Sequence, residues 1–138
     1  MCSSFKEEVL EGVHNFTSHT FKMALYTSSA DLGASTTVYT TSNEVTNTSG
    51  TAYSAGGVVI SVTAGFPKLD GTTAIVDFGN PTWSSATFTT SGALIYNSSA
   101  SNKAVAVLNF GIEKSVSNST LEIKFPTADA TSAIIRIA

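Results

Sequence analysis

Near residue 20 the spacing of apolar residues changes from about four to two, and that change limits what the chain can fold into. Before it, Phe5, Val9 and Val13 recur every four residues with Leu10 beside them, while Glu7, Glu8 and Glu11 fall elsewhere. This is the stripe of a short amphipathic helix. Ser4 followed by Glu7 has the spacing of a capping box, in which the serine oxygen takes an orphan amide and the glutamate reaches back. The pattern ends at Gly12 or soon after it. So short a helix is marginal alone. Its apolar face must dock, either on its own domain or as an arm on a neighbouring subunit. Residues 1–16 therefore read as a helix or arm, and Phe5, Val9, Leu10 and Val13 as candidate partner contacts.

After the change the pattern is that of strands. Phe21, Met23 and Leu25 alternate with Lys22, Ala24 and Tyr26. Val58, Ile60 and Val62 repeat the alternation, as do Ala74, Val76 and Phe78, and Leu121, Ile123 and Phe125 give its cleanest example. Ala93–Tyr96 and Ala104–Phe110 are apolar on both faces and read as central strands, and Ala133–Ile137 as a closing strand. Turn-rich clusters lie between them at 27–35, 46–57, 66–71, 79–85, 97–102 and 113–119. About seven to nine short strands with one helix at the edge predict an all-β chain. The expected architecture is an antiparallel β-sandwich or barrel-like fold with one short N-terminal helix or arm, residues 17–138 forming a single domain.

Composition fits this reading. Forty of the 138 residues are Ser or Thr, twenty of each, and only 12% are charged. On strands of period two, such β-branched and small polar residues suit a solvent face. A hydrophobic fraction of 42% and a mean hydropathy of +0.17 are enough to build a core and argue against disorder. Ten acidic residues against seven basic ones disfavour nucleic-acid binding, which needs a basic face. The lone cysteine, Cys2, cannot form an internal disulfide. No apolar run approaches a membrane span, and the acidic start of the sequence is unlike a secretory signal peptide. A soluble product made in a cytoplasm is the expectation. Sequons occur at Asn15, Asn47, Asn97 and Asn118, and a chain this rich in Ser and Thr supplies them by chance.

Catalytic chemistry finds little footing. His14 and His19 are five residues apart, a spacing that does not put them on one helical face, and neither has a local Cys or acid to complete a metal site. They read as polar residues at the junction of helix and first strand. No Gly-x-Ser-x-Gly elbow accompanies the many serines. Asp70 and Asp77 flank a strand, but Asp70 precedes Gly71 in the manner of a hairpin turn. No catalytic residue, cofactor site or metal site is expected. Trp83, the one tryptophan, is either a plug of the core or an exposed anchor for a partner. With Tyr39 and Tyr53 it is the feature that would serve a carbohydrate-binding module.

Several segments carry a resemblance. They are Phe5–His14, Phe21–Thr27, Gly92–Asn97, Lys103–Gly111 and the closing Ile134–Ala138. In this order the chain resembles small virion structural proteins of tailed bacteriophages. The resemblance implies a non-enzymatic subunit of the virion, most specifically a capsid decoration (cement) protein. Its partners would be the major capsid protein and copies of itself, as a homo-oligomer, with no nucleic acid or membrane involved. A head–tail connector, tail or fibre-associated component is the alternative within the virion.

Overall fold

The structure, a computed structural model, describes residues 1–46 and 50–138; the sequon at Asn47 and the middle of the expected turn at 46–57 lie outside the described residues. Among the described residues one helix, α1 (Ser3–Leu10), precedes seven strands: β1 (Phe21–Tyr26), β2 (Val58–Ile60), β3 (Lys68–Asp70), β4 (Thr73–Val76), β5 (Thr82–Asn97), β6 (Lys103–Glu122) and β7 (Ile135–Ile137). They form two antiparallel sheets, one in the order β2-β1-β5-β6 and one in the order β3-β4-β7. The all-β expectation with a single short N-terminal helix holds.

Three of the four segments that alternation marks form strands close to where expected, as β1, β2 and β4. β1 is buried on both faces rather than one. Its side chains pack into a core that includes Phe78 and Ile135 as well as Val45 and Tyr53, while β2 and β5 pair with its two edges. Phe21, Met23 and Leu25 join Val76, Phe78 and Ile135 in one buried cluster, so the two sheets share a core. Its aromatic spine runs from the helix to Phe78, two residues past the end of β4. Phe5 meets Phe16 edge-on at 6.1 Å, Phe16 stacks on Phe21 at 4.6 Å, and Phe21 packs on Phe78 at 5.8 Å. The closing strand pairs with β4 of its own chain. A hairpin forms here as expected but one residue on from an Asp-Gly turn. Asp70 is the last residue of β3, paired with Thr73, and the two-residue turn is Gly71–Thr72, with Gly71 at φ +60°.

Three turn expectations are overturned in whole or in part. Lys68–Asp70, within the expected turn at 66–71, form the short strand β3. Residues 113–119 lie inside β6, and Thr82–Ser85 inside β5. The residues that read as turn punctuation serve instead as bulges. Ser85, Gly111 and Asn118 take positive φ at the points where the β5–β6 register slips. Leu121–Phe125 is not a strand of its own. Its first two residues end β6, and the rest continues as extended chain held by the Ile123 amide on the Pro81 carbonyl (3.0 Å) and the Phe125 amide on Asn80 Oδ1 (2.9 Å).

The helix also departs from expectation in detail. Cys2 is its N-cap residue, no side chain caps it, and Ser4 Oγ is buried without a partner, so the capping box does not form. Backbone contacts anchor its start: the Cys2 amide donates to Val105 O (2.9 Å) and the Ser3 amide to Ala34 O (2.8 Å). Gly12 ends it as expected. At φ +75° it closes a Schellman motif in which Gly12 N–H reaches Val9 O and Val13 N–H reaches Glu8 O.

Candidate functional site

Three features draw together the residues with chemical potential: a polar junction under α1, a carboxylate ringed by tyrosines, and the outer surface.

At the junction, Glu8 turns inward, contrary to its expected place on the polar side of the helix. Its Oε1 accepts from Lys103 Nζ at 2.7 Å and its Oε2 from His14 Nε2 at 2.8 Å. Asn97, fully buried at the end of β5, completes the set. Ser99 N–H donates to Asn97 Oδ1 (3.0 Å), which fixes the amide orientation and leaves both Nδ2 protons free. These go to His14 Nδ1 (3.1 Å) and His19 Nδ1 (3.0 Å). Each imidazole must then carry its proton on Nε2. The two histidines do sit between helix and first strand, and Asn97 ties them to β5. With both Nδ1 lone pairs engaged by one amide, the cluster is built as a clamp of α1 onto the sheet.

Burial pushes the Glu8 carboxyl up, but the hydrogen bonds from Lys103 and His14 outweigh it and hold it below the usual carboxylate range. A carboxylate whose pKa is depressed on folding stabilises the fold above its unfolded value, about 4.3, and loses that contribution as pH falls through the lower folded value. Glu8→Gln is therefore expected to lower the melting temperature by roughly 5 °C at pH 7. The gap to wild type should close on acidification below pH ~4. Melting curves from pH 2 to 7 check this; a gap independent of pH would contradict it.

The second cluster gathers all four tyrosines around Glu44. Tyr39 Oη donates to Glu44 Oε2 (2.7 Å), Tyr53 Oη to Oε1 (2.5 Å), and the Gly56 amide also to Oε1 (2.7 Å). Tyr53 Oη accepts from the Leu25 amide of β1 (2.9 Å), and Tyr96 Oη donates to Gly56 O (2.8 Å). Tyr26 Oη donates to Thr40 O (2.6 Å), and the Tyr39 and Tyr96 rings stack at 4.7 Å. Burial first, and the Glu44 charge second, push the Tyr96 phenol up to about 12; burial and Glu44 drive Tyr26, Tyr39 and Tyr53 well above the usual phenol range. The hub ties Tyr39, Glu44, Tyr53 and Gly56 to β1 and β5 of the four-stranded sheet.

The remaining candidates divide between core and surface. Trp83 is 3% exposed, with its ring 6.4 Å from those of Tyr53 and Phe88, so it is a core plug and not the partner contact expected of it. Tyr53 is buried beside it, and neither ring has a face free to stack on a sugar. Phe5, 1% exposed, is likewise withdrawn from the expected interface because its own domain covers it. Val9 and Val13 are half-buried, and Leu10 stands 91% exposed. Asp77 Oδ2 accepts from Thr63 Oγ1 (2.8 Å) and Asp70 Oδ2 from the Ala130 amide (2.7 Å), so the two acids brace separate loops. Among the described residues no three His, Cys, Asp or Glu side chains converge as a metal site, and no helix is long and apolar enough to cross a membrane.

No protein-family model matches the chain, and neither a curated protein nor a solved structure matches it significantly. Sequence reasoning missed both polar clusters. Nothing local marks Glu8 for burial or Glu44 as a hub, because their partners come from distant segments.

Proposed function

We propose that this chain is a non-enzymatic structural protein of a tailed-bacteriophage virion, and that it decorates the capsid as a cement subunit. The observation that carries the reading is how its reactive side chains are used. Glu8, His14, His19, Glu44 and the tyrosines are committed to holding the fold, while Leu10 stands on the outer side of a firmly docked helix. A subunit that clamps a shell needs a rigid body, few charges that would repel its copies, and an apolar contact held in a fixed place. Binding only to the assembled shell would stabilise that shell by linkage. The partners are the major capsid protein and further copies of this chain. The arm of the sequence reading becomes a docked helix that presents Leu10, flanked by Val9 and Val13.

Binding to capsid shells that lack the chain tests the contact. Leu10→Asp is expected to weaken binding roughly tenfold while leaving the far-UV circular dichroism unchanged, since the side chain packs against little of its own fold. Unchanged affinity would remove Leu10 from the interface. A stoichiometry matching a single ring at one vertex would move the chain to a connector or tail position.

A further inference from the structure

Three-stranded sheets with open edges invite pairing, and the edge formed by β3 has a feature the others lack. In the two-residue hairpin at Gly71–Thr72, Asp70 and Thr73 form the hydrogen-bonded pair that closes the turn. The next pair, Leu69 with Ala74, is then the non-bonded one, and the Leu69 N–H and C=O face away from β4 toward the open edge. Among the described residues no other strand covers that edge. Leu69 is 69% exposed, and it stands in register with Ala74 and with Ile137, itself half exposed, as an apolar row across the sheet.

A two-fold axis perpendicular to a sheet that joins two identical antiparallel edges must pass through a pair of equivalent residues. Centred on Leu69, it would let the Leu69 N–H and C=O of each copy bond to those of the other. The same symmetry sets Lys68 of each copy opposite Asp70 of the other, so both flanking pairs are complementary. Asp70 keeps its Oδ2 bond to the Ala130 amide and has Oδ1 for the lysine. The apolar row would double in length across the junction. The other edges do not offer this. The outer edge of β6 is broken by bulges at Gly111 and Asn118. The continuation of β2 is taken up by Asp77–Gly79, through the Thr63 amide on Asp77 O and the Gly79 amide on Ser61 O. A pairing of β7 centred on Arg136 would oppose two cations.

We propose that two copies of this chain associate edge to edge through β3, antiparallel about Leu69, with Lys68 of each copy paired to Asp70 of the other. The interface deepens the assembly reading and rests on it for the claim that copies meet. The test uses the free protein, so its failure leaves the particle experiment unaffected. Sedimentation of the wild type over a concentration range up to about 1 mM is expected to show a monomer–dimer equilibrium. Lys68→Asp makes the edge all acidic and Asp70→Lys makes it all basic. Each variant alone should associate roughly tenfold more weakly. An equimolar mixture should recover pairing as a one-to-one heterodimer, because the acidic edge of one variant then faces the basic edge of the other.

Leu69→Pro removes the outward N–H on an edge where proline is tolerated, and should abolish association with the monomer still folded. If Asp70→Lys loses its fold along with the Ala130 contact, as judged by circular dichroism, the comparison of Leu69→Pro and Lys68→Asp with wild type decides. A wild type that stays monomeric, variants that associate as tightly as wild type, or a mixture of folded variants that fails to pair would overturn the proposal.

Discussion

Replacing Gly57 by alanine is expected to cost about 4 kcal/mol or more, or to prevent folding outright. Gly57 sits at φ +73°, which already disfavours a side chain by roughly 1–2 kcal/mol. The larger effect is steric. A Cβ at this position would lie 1.7 Å from the Met23 carbonyl oxygen and 2.8 Å from Ala24 Cα, all backbone of β1. Relieving that contact means moving one strand of a close-packed sheet by more than about 1 Å. The ladder at stake pairs Met23 with Val58, Lys22 with Val59 and Phe21 with Ile60. The neighbouring glycine supplies the control. Gly56→Ala meets side-chain ends and no backbone, Tyr96 Oη at 3.2 Å and Lys22 Nζ at 3.3 Å, from a similar φ of +87°. It should cost about 1–2 kcal/mol. Chemical denaturation of the two variants checks the contrast, and equal losses would show that the approach of residue 57 to β1 is not what this glycine is for.

Glu44→Ala is expected to lose about 3–5 kcal/mol. Three donors, the Tyr39 and Tyr53 hydroxyls and the Gly56 amide, lose one acceptor together, and a buried polar group left without a partner costs about 1–3 kcal/mol. Relaxation and water entry keep the total below the sum of the three. Glu44→Gln should recover part of the loss, because its amide retains one acceptor oxygen. The phenols report on the same hub. Their pKa values are raised on folding, so the stability they contribute is fully present below the unfolded phenol value of about 10 and is lost as pH rises toward the folded values. Tyrosinate absorbance should therefore appear together with alkaline unfolding in the wild type and at lower pH in Glu44→Ala. Ionisation of several tyrosines near pH 10 in a folded wild type would contradict the burial of the hub.

The parts of this fold legible in the sequence are those that depend on neighbours along the chain. Side-chain alternation in a strand is local, so Phe21–Tyr26, Val58–Ile60 and Thr73–Val76 appear close to where the pattern puts them. The end of α1 at Gly12 and the hairpin at Gly71 rest on the chemistry of single residues, and both are found. The long β5–β6 hairpin was hidden for the same reason. Gly111 and Asn118 have the positive-φ tolerance that serves a turn, and only pairing with the opposite strand makes bulges of them and of Ser85. Glu8 is harder still. One of its partners, Lys103, is 95 residues away, and nothing near Glu8 distinguishes it from Glu7 or Glu11, which stay in solvent. The same holds for Asn97, whose apolar neighbours announce a buried strand but not the two histidines, 78 and 83 residues back, that it holds. Among the candidate contacts, the stripe of Phe5, Val9 and Val13 correctly indicated a face that docks. What the helix docks on, and that Leu10 stays outside, is a matter of tertiary packing.

Imaging purified particles and locating this chain in them tests the central claim most directly. A cement subunit predicts density for the all-β body in many copies spread over the whole capsid surface, with the α1 face bearing Leu10 turned toward the shell. Density confined to a vertex or the tail, or particles that contain none of the chain, would contradict it.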